Sequence, residues 1–325
     1  MLLNQGLEMR MRDLLLLLAD SQFHSGEELG EALGVTRAAI WKKLKKLELL
    51  GIRLHSVKGR GYRLPYKIEL LDAKILAQSV AGIPISVCFE TKSTNDDVKQ
   101  LINSGAVMPQ VVATEIQNQG KGRRGRQWQG GVAKNIMMSF GWRFESGISV
   151  IEGLSLAVGA AVARVLKKHG VESVGLKWPN DVQVDGKKIC GVLLEMVADQ
   201  DICDVIIGVG LNVSMSEQDM QDIDQPWTDV MQQTSEDVSR NQILADLVNE
   251  LEQVCKTFDK GDGLAAYLTE WMQQDLLKNQ AVRLISGNTE ELGIARGIDA
   301  KGALLFEQDG QVKALYGGEV SVRKQ

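Results

Sequence analysis

Gly120-Lys121-Gly122-Arg123-Arg124-Gly125-Arg126-Gln127-Trp128 sets four cations and three glycines in nine residues without one acid. Glycine lets a backbone reach positive φ and approach a ligand closely, while Lys and Arg supply charge-assisted hydrogen bonds. The composition suits a loop closing over a phosphate or carboxylate; a solvated basic loop is the plainer alternative. The stretch also satisfies G-x-G-x-x-G, the fingerprint of a dinucleotide-binding fold. That fold needs a helix opening at the loop, its N-terminus facing the pyrophosphate. Here Trp128-Gln129-Gly130-Gly131 follows, without an apolar helical period, and long cations fill the variable positions. The reading is an anion-binding loop of another kind.

The flanking sequence predicts a sheet that carries this loop. Val111 to Gln117 reads as a strand delivering Gln117 and the loop to one sheet end, with a strand Ile85–Glu90 before it. Between them Thr91-Lys92-Ser93-Thr94-Asn95-Asp96-Asp97 opens a helix; short hydroxyls and amides there ordinarily serve as caps. Asn135 to Phe144 is another strand, and Ile151 to Lys168 a helix with Leu154, Val158, Val162 and Val165 on one face. In Gly175-Leu176-Lys177-Trp178-Pro179-Asn180-Asp181 the proline cannot donate to a ladder, so a strand breaks into a polar corner. Asp185-Gly186 signals a hairpin, and Lys187 and Lys188 beyond it must point to opposite faces. Gly208 and Gly210, in the strand Asp204–Val213, imply close approach by a ligand or a neighbouring backbone. Residues 214–239, with Trp227, are polar and aperiodic and read as a mobile loop. Helices Ile243–Phe258 and Leu264–Leu277 follow. From Asn279 short strands alternate with turns, predicting a small barrel docked on the rest, since about 45 residues bury too little alone.

The N-terminal part reads differently. Met9–Ala19 is helical, Ser25 opens a second short helix ended by Gly34, and Thr36 caps a third from Arg37 to Leu50. Ile40, Leu44 and Leu47 face a core, whereas Arg37, Trp41, Lys42 and Lys45 project elsewhere. Two strands joined by Lys58-Gly59-Arg60 then make a basic-tipped wing, so the whole spells a winged helix-turn-helix. Residues 1–66 hold eleven Lys/Arg against seven Asp/Glu, a balance of +4 that leaves −9 on the remainder of a chain at −5. That asymmetry suits a polyanion partner for the first part. Ile68–Gln78 reads as a linking helix.

At 325 residues two or three domains are expected. The four cysteines and three histidines are widely spaced, which argues against a zinc site or disulfide framework and for reduced cytoplasmic thiols. Leu14–Ala19 is too short to span a bilayer, so no membrane partner is expected.

With these pieces in order, the chain resembles the bifunctional, repressor-bearing biotin protein ligases (the BirA family). The resemblance runs through Ser93-Thr94-Asn95, Gln117 with the Gly-Arg loop, Lys177-Trp178-Pro179-Asn180-Asp181, Lys187-Lys188-Ile189-Cys190-Gly191 and Gly208-Val209-Gly210-Leu211-Asn212. It implies an α+β multidomain chain: a winged helix-turn-helix (1–66), a mixed-sheet catalytic domain of the biotin/lipoate-ligase kind (67–275) and an SH3-like barrel (276–325). It implies ATP-dependent formation of biotinyl-5′-AMP, with Mg²⁺ accompanying ATP, and transfer to a lysine of a biotin carboxyl carrier protein. It also implies operator binding by a homodimer that forms when biotinyl-5′-AMP is bound. By resemblance Lys188, Arg123 and Asp181 are catalytic. Ser93, Thr94, Asn95, Gln117, Lys121, Gly122, Arg123 and Lys188 would hold biotin. Arg123, Arg124, Arg126, Trp128, Lys177, Asn180, Asn212 and Trp227 would hold ATP or the adenylate. Thr36, Arg37, Trp41, Lys42, Lys45, Lys58 and Arg60 would meet DNA. Lys121 departs from the Arg of the best-known members and cannot make a bidentate fork. A biotin-sensing repressor without catalysis and a lipoate-type ligase are the competing readings.

Overall fold

The computed structural model describes residues 11–145, 151–199, 202–216, 223, 225–286, 289–317 and 320–324. Of the helix expected over Met9–Ala19, α1 spans 11–18; Met9 and Arg10 lie outside the described residues. In α2 (Gly26–Leu33) Ser25 and Glu28 form a reciprocal capping box, and Gly34 ends the helix at φ 63°. Thr36 Oγ1 accepts from the Ala39 N–H at 3.3 Å to start α3 (Arg37–Leu49). Ile40, Leu44 and Leu47 are buried as their spacing predicts, against Leu14, Leu15, Leu18 and Leu29. β1 (His55–Val57) and β2 (Gly61–Arg63) form the wing, and His24 adds a third rung by exchanging two hydrogen bonds with Tyr62 at 2.9 and 2.8 Å. The same apolar cluster continues into Phe89, Ile116, Val132 and Ala133, so this module packs on the central layer.

The expected linking helix over Ile68–Gln78 is shorter: Asp72 caps α4 (Ala73–Ser79), and the chain before it is held by side chains instead. Arg240, 3 % exposed, donates to the Glu69 carbonyl at 2.6 Å, to Glu115 Oε2 at 2.8 Å and to the Asn135 carbonyl at 3.0 Å. A buried guanidinium satisfied on several sides fixes the strap between the two modules.

The central layer contains β3 (Ile85–Thr91), α5 (Thr94–Asn103), β4 (Gln110–Gln117), β5 (Asn135–Phe144), α6 (Leu154–Lys168), β6 (Val174–Lys177), β7 (Asp181–Val184), β8 (Lys187–Asp199) and β9 (Ile202–Asn212). Its seven strands lie in the order β3-β4-β5-β9-β8-β7-β6, with β3 and β4 parallel and the other pairs antiparallel, a mixed sheet. Asp185 and Gly186 take positive φ of 50° and 76°, as the β7–β8 hairpin needs. α6 and α8 (Arg240–Asp259) cover one face, their stripes of Val158, Val162, Leu247 and Leu251 fully buried.

The stretch expected as a mobile loop is pinned where it is described (217–222 and 224 lie outside). Asp229 caps the short α7 (Val230–Gln233), and Pro226–Thr228 pair with Lys188. α9 (Ala265–Gln273) is shorter than its expected range. The last five strands are β10 (Ala281–Ser286), β11 (Thr289–Ile298), β12 (Leu304–Gln308), β13 (Gln311–Leu315) and β14 (Val320–Lys324). Their order is β13-β12-β11-β10-β14, and among the described residues the two edge strands do not pair, so the expected barrel is an unclosed sheet. Val282, Leu284, Phe306 and Val322 join the central core, and Trp178 Nε1 donates to the Gly302 carbonyl at 3.0 Å. The small module is docked, as its size requires.

Candidate active site

The register brings glycines together in the sheet. Gly191 on β8 lies opposite Gly210 on β9, which lies opposite Met137 on β5. The indole of Trp128 lies on this floor, and a Cβ on Gly210 would stand 2.7 Å from its Cδ2. The glycines therefore serve a close approach, but first by a side chain of the chain itself. Gly208 is similarly covered by the Asn95 amide.

α5 begins at the rim. Ser93 occupies its N-cap position, yet its hydroxyl makes no capping bond, so the ordinary role of such a residue does not hold here. The Thr94 N–H and Oγ1 both donate to Gln117 Oε1, at 2.8 and 3.1 Å. Ser139 Oγ lies 2.7 Å from Thr94 Oγ1 and 2.5 Å from Asn95 Oδ1, while Asn95 Nδ2 donates to Glu195 Oε2 at 2.6 Å. Ser93, Thr94 and Asn95 are at most 5 % exposed. They line one narrow cavity with Gln117, Lys121, Gly122, Trp128, Asn180 and Lys188.

The Gly-Arg loop is a short ladder over that cavity. The Trp128 N–H donates to the Gly120 carbonyl at 2.9 Å and the Gly122 N–H to the Arg126 carbonyl at 2.7 Å. The turn at Arg123–Gly125 takes positive φ at Arg124 (59°) and Gly125 (71°). Arg123 Nη1 donates to Asn180 Oδ1 at 3.2 Å, and burial pushes its pKa down while Asp181 opposes the shift. Arg124 and Arg126 stay exposed. Lys188 Nζ stands 2.6 Å from Asp181 Oδ1 and 5.8 Å from the Trp128 ring centre. Its main chain is clamped by Pro226 and Thr228, at 2.9 Å each, which sets Trp227 beside it. Burial also lowers the pKa of Lys177, against Asp181 and with Lys188, Arg323 and Arg126 nearby. Desolvated cations gathered around one carboxylate suit an arriving anion.

Asn212 is placed otherwise: it is 2 % exposed, bonded to Asn135 at 3.0 Å, and donates to the Thr228 carbonyl at 3.1 Å, a scaffold for the floor. Cys190, next to the site, is buried and its thiol is pushed up to about 12, chiefly by desolvation. Four residues escaped the sequence reading: Ser139, Glu195, Asp96 and Arg323. Ser139 was detectable as a hydroxyl within an apolar strand, and Glu195 by falling on the same face of an alternating strand as Gly191 and Leu193. Arg323 comes from a separate module and carried no local signal.

On the winged helix, Arg37, Trp41 and Lys45 form one exposed edge of α3, with Trp41 53 % exposed and Lys45 paired to Glu48 at 2.7 Å. Lys42 lies on another edge. With Lys43, Lys46 and Lys92 it lines a crevice of about 600 Å³ against the central layer, where Lys46 is 3.8 Å from Glu90. Lys58 is exposed at the wing tip, and Arg60 stacks 4.7 Å above the Phe23 ring. No described helix is long and apolar enough to cross a membrane.

Comparison with known proteins agrees with this order of modules. Residues 87–212 match the biotin/lipoate A/B protein ligase family, 10–63 an HTH domain and 279–323 the biotin protein ligase C-terminal domain. The chain is 39 % identical to the bifunctional ligase/repressor BirA of Escherichia coli (strain K12), over 95 % of this chain and 96 % of that one. It is 33 % identical to the biotin–[acetyl-CoA-carboxylase] ligase of Mycobacterium tuberculosis, over 77 % and 95 %. A biotin protein ligase from Aquifex aeolicus, solved with biotin and ATP, superposes with a TM-score of 0.63 at 25 % identity, over 74 % of this chain and 99 % of that one. The chain belongs to the BirA family of bifunctional biotin protein ligases and repressors.

Proposed function

We propose that the chain condenses biotin with ATP to biotinyl-5′-AMP, passes the biotinyl group to a lysine of a biotin carboxyl carrier protein, and uses the same adenylate as co-repressor at operator DNA. One observation carries this reading. A donor–acceptor set (Ser93, Thr94, Asn95, Gln117) lines the same cavity as Lys188 and Asn180, onto which Arg123 donates, and Lys121, Gly122 and Trp128 of the basic loop line it too. The first part can read a polar ring system such as a ureido group. The second neutralises a carboxylate meeting a phosphate.

In the first step a biotin carboxylate oxygen bonds to the α-phosphorus and pyrophosphate leaves. Lys188 would swing from Asp181 to the carboxylate and α-phosphate, and Arg123 would sit on the phosphate side. In the second, the acceptor ε-amine bonds to the acyl carbon, AMP leaves, and the amine loses a proton. Both steps gather negative charge in a desolvated site, where fixed cations and positioning supply most of the help a protein can give. Trp128 and Trp227 would bracket the adenylate, with Lys121, Gly122, Arg124, Arg126 and Asn180 along the loop. Mg²⁺ would arrive with ATP. Among the described residues no group of three His, Cys, Asp or Glu could cage a metal. Phosphate oxygens and waters would be its main ligands, as is usual for this ion.

The divisions 1–66, 67–275 and 276–325 are proposed as domains, and a homodimer formed on adenylate binding would place two winged helices on a two-fold operator. Thr36, Arg37, Trp41, Lys45, Lys58 and Arg60 form the proposed DNA face, with Lys42 at its margin. The free thiols suit a reducing, cytoplasmic setting. Mixing the chain with ATP and either biotin or lipoate tests the reading. Pyrophosphate should appear in a stoichiometric burst with biotin. No burst would leave a sensor without catalysis, and a preference for lipoate would reassign the substrate.

A further inference from the structure

The loop cation Lys121 is turned onto the protein. Its Nζ stands 2.5 Å from Asp96 Oδ1 and 3.6 Å from Glu195 Oε1. The other oxygen of Glu195 accepts from Asn95 Nδ2 at 2.6 Å, and Asn95 is itself held by Ser139. The start of the loop is fastened to the same helix turn, because Gln117 accepts from both the backbone and the hydroxyl of Thr94. Three successive residues of α5 (Thr94, Asn95 and Asp96) thus grip one strand end, one carboxylate of β8 and one loop cation. The hydrogen bond to Asp96 also holds the Lys121 ammonium above its ordinary pKa, so the group stays charged.

We propose that Asp96 and Glu195 are positioning residues for the ligation reaction: together they grip Lys121 and hold the 120–128 loop down over the adenylate. Lys121 is then a strap between loop and floor, and a Lys suffices here because its three donors can serve two carboxylates on different elements. A bidentate fork would favour one of them. Glu195 has a second consequence. By joining Asn95 to Lys121 it ties the rim of the biotin side to the closure of the loop, so filling the cavity and shutting it are linked. This inference rests on the loop covering an adenylate.

The test uses the full chain, with biotinyl-5′-AMP formed in place from biotin and ATP and its release followed after dilution into unlabelled adenylate. Asp96→Asn and Glu195→Gln should each speed release by about two- to fivefold, the range for partly exposed ion pairs. Lys121→Met should speed it by at least as much as either. Asp96→Asn added to Lys121→Met should change release no further, since the partner is already gone. Lys121→Arg keeps the charge and should restore release to within about twofold of the parent. Parent-like release from both single carboxylate variants would overturn the proposal, and so would additive effects of Asp96→Asn and Lys121→Met. Absence of pyrophosphate formation in the parent would instead overturn the ligase reading, a separate result.

Discussion

Replacing Gly210 by Ala probes the floor of the site with one carbon. The new Cβ would lie 2.7 Å from both Cδ2 and Cζ2 of Trp128. Carbon pairs rest at about 3.5–4.0 Å, so the indole must move by about 1 Å. The strand cannot yield in its place: Gly210 is paired on one side with Met137 and on the other with Gly191. Nor can the ring bend as a flexible tip would. Overpacking of this kind costs about 1–3 kcal/mol of stability. A displacement of about 1 Å near reacting groups costs about 10²-fold in rate. Single-turnover pyrophosphate formation should therefore fall by about 10²-fold, with a lower Tm. Gly159→Ala in α6 is the control, because its Cβ would meet Leu176 at an ordinary 3.6 Å. It should keep the parent rate and stabilise by up to about 1 kcal/mol through helix propensity. A Gly210→Ala variant with parental rate would refute the placement of Trp128 on the glycine floor.

Three further outcomes are expected. Lys188→Ala should slow adenylation by about 10²–10³-fold, the cost of losing one donor to developing charge, with the fold retained by circular dichroism. Arg37→Ala and Lys45→Ala should weaken operator binding, by about 1–3 kcal/mol for a base contact or by about one unit of salt slope for a phosphate contact, without altering pyrophosphate formation. Asp246, at 7 % exposure, joins α6 to α8: burial raises its pKa, but its bonds to Lys168 and His169, each 2.9 Å, win and hold it below its ordinary value. A depressed folded pKa stabilises above about pH 4 and is lost as pH falls through the folded value. Asp246→Asn should accordingly cost about 1–3 kcal/mol at about pH 7 and flatten the acid dependence of denaturant unfolding below about pH 4.

The sequence was informative where local rules act alone. Apolar spacing located α3, α6 and α8, Asp185-Gly186 located its hairpin, and the caps Ser25 and Thr36 located their helices. It was silent where a partner is distant. Arg240 is separated by more than a hundred residues from Glu69, Glu115 and Asn135, so nothing local marks the strap it makes. Residues 226–228 lack periodicity because their main chain forms an isolated bridge with Lys188, and such a bridge leaves no period in a polar sequence. Ser93 and Asn95 are legible as polar residues at a helix start, but that both line the cavity, with Asn95 bonded to Glu195 and Ser139, depends on distant strands. Asn212 matches the motif that carries the resemblance, yet its amide is committed to Asn135 and Thr228.

The most direct measurement follows the intermediate itself. The chain is mixed with biotin and α-phosphate-labelled ATP, passed through gel filtration, and then given a biotin carboxyl carrier domain. The account predicts about one labelled adenylate retained per active site, discharged as AMP while the carrier lysine gains biotin in equal amount. Failure to retain label, or discharge of AMP without biotinylated lysine, would contradict it.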